Sequence, residues 1–189
     1  LQPKEGWGVF LGPQGDVCVG EHKEGKRGGK GALRTASGAT YVGEWKGGAK
    51  SGKGVMTYPS GATYNGAWKA NKRHGRGTYT QPNGDAYTGA WLGGVKHGAG
   101  RYRHAGTGAV YEGTWQDGVL LAAKVAAADG SAFFGKFDKA GRPVGAGGFC
   151  FPSGAAIKGE YKAEVRAALF SPLFPPLSPS PLPRLAPVS

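Results

Sequence analysis

From Tyr64 the chain spells YNGAWKANKRHGRGTYTQPNGDA, and from Tyr87 it spells YTGAWLGGVKHGAGRYRHAGTGAV, with aromatic residues, glycines and basic residues in matching places. With Tyr64 as position 0, the frame is an aromatic residue, Gly at +2, Trp at +4, and Gly at +11, +13 and +20. Tyr41, 23 residues earlier, carries the same frame through Gly43, Trp45, Gly52, Gly54 and Gly61. A fixed period of about 20 to 50 residues marks units that cannot bury a hydrophobic face alone and must stack on their neighbours. The constraint excludes two separate globules and leaves one elongated array.

Outside the regular units the frame is worn but traceable. Tyr111 opens a further unit with Gly113, Trp115 and Gly118, but Ala122 and Lys124 stand in its +11 and +13 places. Phe133, Gly135 and Phe137 begin another, and Ile157, Gly159 and Tyr161 begin a truncated one. Upstream, Cys18, Gly20, His22, Gly29 and Gly31 form a degenerate unit, and Gly6, Gly8 and Gly15 fit the second half of one more. The domain organisation expected is an array over residues 1–162, with clear repeats at 41–118 and degenerate ones at 6–40 and 119–162, followed by a tail at 163–189. Glycine makes up 37 of 189 residues, yet it is phased with Trp and Tyr, so a low-complexity chain is excluded.

Within a unit the informative period is two, the signature of a strand. Tyr64, Gly66 and Trp68 project to one side, and Asn65, Ala67 and Lys69 to the other. The segment ANKRHG at 70–75 is expected to turn the chain into a second strand, and QPNGDA at 81–86 to turn it again. The fold class expected is therefore all-β: an elongated single-layer antiparallel meander of stacked hairpins, with an extended Pro-rich C-terminal tail. Its aromatic face carries Tyr41, Trp45, Tyr64, Trp68, Tyr87, Trp91, Tyr111 and Trp115. Glycine backbone offers those rings a flat bed. A single sheet leaves such a face as a shallow trough, so these eight residues are the candidate partner-binding site, fitted to a helix from another protein.

The formal net charge is +12. Position +9 is basic in four successive units, as Arg27, Lys50, Arg73 and Lys96. This row is expected to form a basic edge that contributes little to stability, serving either solubility or an acidic partner such as anionic lipid. Nucleic acid is not favoured, because the aromatics belong to the fold and no nucleic-acid-binding motif is present. EGKRGGKGA at 24–32 fails as a phosphate loop, since Gly31 stands where the Mg²⁺-binding hydroxyl belongs. His74 and His97 are expected in turns and not as metal ligands; no catalytic residue, metal or cofactor is assigned. Cys18 and Cys150 lie in distant units and are expected to be free thiols of a reducing compartment.

YNGAWKANKRHGRGTYTQPNG and its neighbours resemble MORN repeats, whose consensus reads YxGxWxxGxxHGxGxxxxxxG. The resemblance covers about four-fifths of the chain. It implies a hairpin solenoid without catalysis of its own, used as a scaffold or adaptor. Family members occur in ciliary radial spokes, in membrane-junction proteins, beside plant phosphoinositide kinase domains and as cargo adaptors for myosin tails. It implies here a scaffold in a large cytoskeletal assembly of the cytoplasm, such as a radial spoke of a ciliary or flagellar axoneme. The alternative is a peripheral membrane adaptor that binds anionic phospholipids. The tail, with seven prolines from Pro172 to Pro187, is expected to dock on a neighbouring protein, and self-association of arrays stays open.

Overall fold

The computed structural model describes residues 4–162; the Pro-rich tail lies outside them. Fourteen strands run in chain order: β1 (Gly6–Leu11), β2 (Val17–Lys23), β3 (Lys26–Arg34), β4 (Thr40–Lys46), β5 (Ala49–Thr57), β6 (Thr63–Lys69), β7 (Lys72–Thr80), β8 (Ala86–Leu92), β9 (Val95–Arg103), β10 (Val110–Gln116), β11 (Val119–Ala126), β12 (Ala132–Phe137), β13 (Pro143–Cys150) and β14 (Ala156–Tyr161). They form one antiparallel sheet in which every strand pairs only with its neighbours in sequence, the meander expected.

Two turn types alternate. At one end of each of the five hairpins from β2 to β11 the connection is two residues long, as at Gly47–Gly48 and Ala70–Asn71, with φ of 57° and 84° and of 48° and 66°, whereas β12 and β13 are joined by the longer type. Both central residues being left-handed matches the twist of the flanking strands. This corrects the turn expected across 70–75: it ends at Asn71, and His74 and His97 lie inside β7 and β9. At the other end a longer turn closes through Gly84 N–H to the Gln81 carbonyl at 2.9 Å, with Asn83 Oδ1 accepting from Asp85 N–H at 3.0 Å.

The register explains the phased glycines. Cross-strand partners trace an unbroken row, Gly8, Gly20, Gly31, Gly43, Gly54, Gly66, Gly77, Gly89, Gly100, Gly113, Ala123, Gly135, Gly147 and Gly159, one residue from each strand. Alongside it runs the apolar row Leu33, Tyr41, Met56, Tyr64, Tyr79, Tyr87, Tyr102, Tyr111, Val125 and Phe133. The tyrosine rings fold sideways over the bare glycines: a Cβ on Gly77 would fall 2.6 Å from Tyr64 Cζ. The one exception corrects the sequence frame. The unit at Tyr111 has a shorter bulge, so Ala123 and not Lys124 faces Gly113.

The aromatic rings interlock from one unit to the next. Tyr64 meets its own Trp68 edge-on at 5.1 Å and the next unit's Trp91 at 5.3 Å; Tyr41 and Tyr87 do the same with their two tryptophans. Their polar atoms are met locally, Tyr64 Oη donating to the Ala67 carbonyl at 3.0 Å and Trp68 Nε1 to the Gly54 carbonyl at 3.1 Å. Edge-to-face geometry and satisfied donors allow a core to form without a second layer. Units are also tied through their backbones, Asn71 N–H donating to the Lys50 carbonyl at 3.1 Å and Gly94 N–H to the Arg73 carbonyl at 3.0 Å.

Candidate functional site

The sheet brings all eight candidate aromatics onto one face, but that face is filled. Tyr41, Trp45, Tyr64, Trp68, Tyr87, Trp91, Tyr111 and Trp115 are each 5% exposed or less in the array alone. The rings close over the glycine row and each other, so the trough anticipated as an open slot is the core of the molecule.

The four +9 cations sit on the same face, which sequence alternation alone did not reveal. The two-residue turn places +4 and +9 directly opposite each other, as Trp45 with Lys50, Trp68 with Arg73 and Trp91 with Lys96. Each cation then lies over rings: Arg27 over Trp45 at 4.2 Å, Lys50 over Trp68 at 5.1 Å, Arg73 over Trp91 at 4.6 Å and Lys96 over Tyr102 at 5.0 Å. Lys50 and Arg73 are buried, and Arg73 donates through Nη2 to the Gly94 carbonyl at 2.8 Å while Nη1 finds no acceptor. These residues are therefore wedges in the aromatic stack and not a solvent-facing edge, which corrects the expectation that they matter little to stability. Leu120 takes the corresponding place opposite Trp115.

Burial leaves its mark on their protonation. It lowers Lys50 to about 8, the Arg27 charge acting in the same direction. It also lowers Lys96 to about 8, the Arg73 charge adding to burial and Asp85 opposing it. Burial raises Tyr41, with the Glu44 charge, and Tyr87 to about 12, and carries Tyr64 higher. Between about pH 8 and pH 10 the unfolded chain holds more protons on its lysines than the folded array does, so stability rises with pH. Above about pH 10 the unfolded tyrosines ionise while the folded ones keep their protons, so stability falls. Denaturation midpoints measured across this range are expected to pass through a maximum near pH 10; a midpoint declining from neutrality upward would contradict the buried lysines.

The opposite face is open and uneven. Toward the N-terminal end a cross-strand row runs Val9, Val19, Ala32, Val42 and Val55, with Val42 61% exposed. Beside it, a depression of about 330 Å³ is lined by Trp7, Val19, Lys30, Ala32, Val42, Glu44 and Lys53, among others. Further along, the same row turns polar, with Thr78 and Thr88 hydroxyls 2.9 Å apart and Arg101 paired to Glu112 at 3.1 Å. At the two-residue turns stand exposed lysines at +5 and +8: Lys23 opposite Lys26, Lys46 opposite Ala49, and Lys69 opposite Lys72. These are the solvent-facing basic residues of the hairpin tips. Their recurrence at +5 was visible in the sequence, but the more regular +9 position masked it. Among the described residues no cluster of ligating side chains suits a metal ion, and both cysteines are free.

The architecture has relatives among solved structures. The TCP domain of Drosophila melanogaster SAS-4 (dCPAP), solved with a proline-rich motif of Ana2 (dSTIL), superposes with a TM-score of 0.54 at 10% identity, over 85% of this chain and 88% of that one. The TCP10c domain of Drosophila melanogaster Sas-4 gives 0.49 at 10% identity, over 86% and 97%. At such identity the likeness is one of fold. No curated protein matches the chain. The MORN repeat model matches residues 18–40, 41–63, 64–86, 87–106 and 111–120, more than half of the sequence. The repeat frame, the glycine row beneath interlocked Tyr and Trp, and this match together place the chain in the MORN-repeat family.

Proposed function

We propose that the array is a non-enzymatic scaffold that holds partner proteins in a large cytoskeletal assembly, with a ciliary or flagellar axonemal complex such as a radial spoke as its setting. One observation carries the reading: the aromatic face satisfies itself, so a long, rigid sheet keeps its opposite face and its hairpin tips free for contact. A rigid surface loses little entropy when it docks, which favours recognition of other chains. The SAS-4 TCP domain, similar in fold, is in complex with a proline-rich motif of another protein, which supports a reading of this sheet as a surface for peptide partners. The Pro-rich tail, outside the described residues, is the second contact in this proposal.

Anionic phospholipid is the second reading, favoured by the exposed lysines of the hairpin tips. Expression in ciliated cells lacking the endogenous protein separates the two. A scaffold is recovered with the detergent-resistant axoneme, and truncation after Lys162 reduces that recovery. Release into the detergent-soluble fraction, together with flotation on vesicles containing phosphatidylserine, would replace the scaffold reading with the lipid one.

A further inference from the structure

The sheet places five lysines, Lys23, Lys26, Lys46, Lys69 and Lys72, at the tips of three adjacent hairpins. Hairpins recur about every 10 Å, twice the strand spacing, so the five charges fall within about 20 Å. Two of the tips hold like charges directly opposite each other, Lys23 with Lys26 and Lys69 with Lys72. Such pairs destabilise a hairpin, and one charge per tip would serve solubility as well. Glu24 in the first turn and Glu5, whose Oε1 accepts the Glu24 N–H at 3.0 Å, are the acidic residues at these tips, two against five lysines. The positive charge is therefore held in place against its own repulsion.

A second row of exposed cations, Lys30, Lys53 and Arg76, lies further along the same strands on the open face. Neither ion pair among the described residues, Arg101 with Glu112 or Arg142 with Asp138, involves any of the eight. Glu21 and Glu44 alternate with the cations of the second row and keep their charge while accepting from the Lys30 and Lys53 backbone N–H groups, each at 3.1 Å, so the eight cations outnumber the carboxylates of Glu5, Glu21, Glu24 and Glu44 two to one. On the inner side of the second row, away from the tips, lies the apolar floor of Ala32, Val42 and Val55 on β3 to β5. The two cation rows make a stripe about 10 Å wide, flanked on its inner side by this floor, that crosses β2 to β7, about 24 Å long at five strand spacings.

We propose that this stripe binds an acidic polypeptide segment with some apolar residues, about 16 residues long if helical. Its carboxylates meet the two cation rows and its apolar side chains rest on the valines. A helix repeats a face every seven residues, about 10.5 Å, which matches the hairpin spacing. A planar bilayer would reach the tip row but not the second row and the floor behind it. The inference rests on the scaffold reading and specifies the chemistry of one partner.

The probe is a synthetic amphipathic peptide of about 16 residues with Glu on one face and Leu on the other. Its Gln analogue and phosphatidylserine vesicles serve as comparisons. Trp7, which is 67% exposed while the other four tryptophans are buried or nearly so, reports binding by fluorescence. The Glu peptide is expected to bind the full chain at least tenfold more tightly than the Gln peptide, with affinity falling as salt rises. Lys46→Glu/Lys69→Glu/Lys72→Glu is expected to abolish this preference with an unchanged melting temperature. Lys136→Glu/Lys139→Glu/Lys158→Glu, the same charge change in exposed residues of the C-terminal third, is expected to leave it intact. Equal loss in both variants, equal binding of both peptides, or binding of vesicles alone would overturn the proposal. Recovery in the axonemal fraction is scored separately, so a failure here leaves the scaffold reading standing.

Discussion

Trp68→Ala is expected to lower the stability of the array by about 3 to 5 kcal/mol, the range for truncating a buried aromatic side chain. Trp68 is 3% exposed and links two units: it meets its own Tyr64 at 5.1 Å, and from the preceding unit Tyr41 at 5.5 Å and the Gly54 carbonyl through Nε1. Nearest-neighbour interfaces hold repeat arrays together, so the loss falls on its own hairpin and on the preceding one. Gly77→Val attacks the same place from the opposite direction. Its side chain would need the space of the Tyr64 ring, whose Cζ lies 2.6 Å from where a Cβ would stand. Thermal melts and hydrogen exchange check both variants. Midpoints equal to wild type would mean that the rings do not form the core.

Arg73→Glu is expected to be as damaging, about 3 to 5 kcal/mol, because it leaves an uncompensated carboxylate buried against aromatic faces. The guanidinium it replaces is 7% exposed, 4.6 Å above Trp91 and 5.3 Å from the Tyr79 ring. The negative faces of those rings attract a cation and repel an anion. Arg73→Leu copies the Leu120 arrangement opposite Trp115 found within the same chain, and its cost is expected to stay below about 2 kcal/mol, the worth of a desolvated cation–π contact. A denaturant midpoint for Arg73→Glu equal to that of Arg73→Leu would return the +9 row to the surface.

The contrast between Arg73 and Lys69 shows how far sequence reasoning reaches. Both are basic residues near the same two-residue turn, one opposite Trp68 and the other opposite Lys72. Period-two alternation assigns Lys69 to the face away from Trp68 without difficulty. For Arg73 the assignment depends on the turn containing two residues and not six, which hangs on the left-handed backbone of Ala70 and Asn71. No strong turn residue marks Ala70 in the sequence, so the pattern suggests a turn as far as Gly75, and that length puts His74 and the cation row outside the strands they occupy. The same sensitivity to count displaced Lys124 in favour of Ala123, where a bulge one residue shorter shifts the register.

The period, the strand alternation, the antiparallel meander and the set of eight aromatic residues on one face are legible in the amino-acid order alone, because these follow from local geometry repeated in register. That the face is closed and not open, and that its cations lie inside it, emerges only when the units pack together. Closure depends on the direction in which each Tyr ring folds over the glycine row and on the next unit's Trp arriving at its far edge, as Trp91 does at Tyr64. Those are contacts between units, set by strand register and twist, and no spacing within a single unit encodes them.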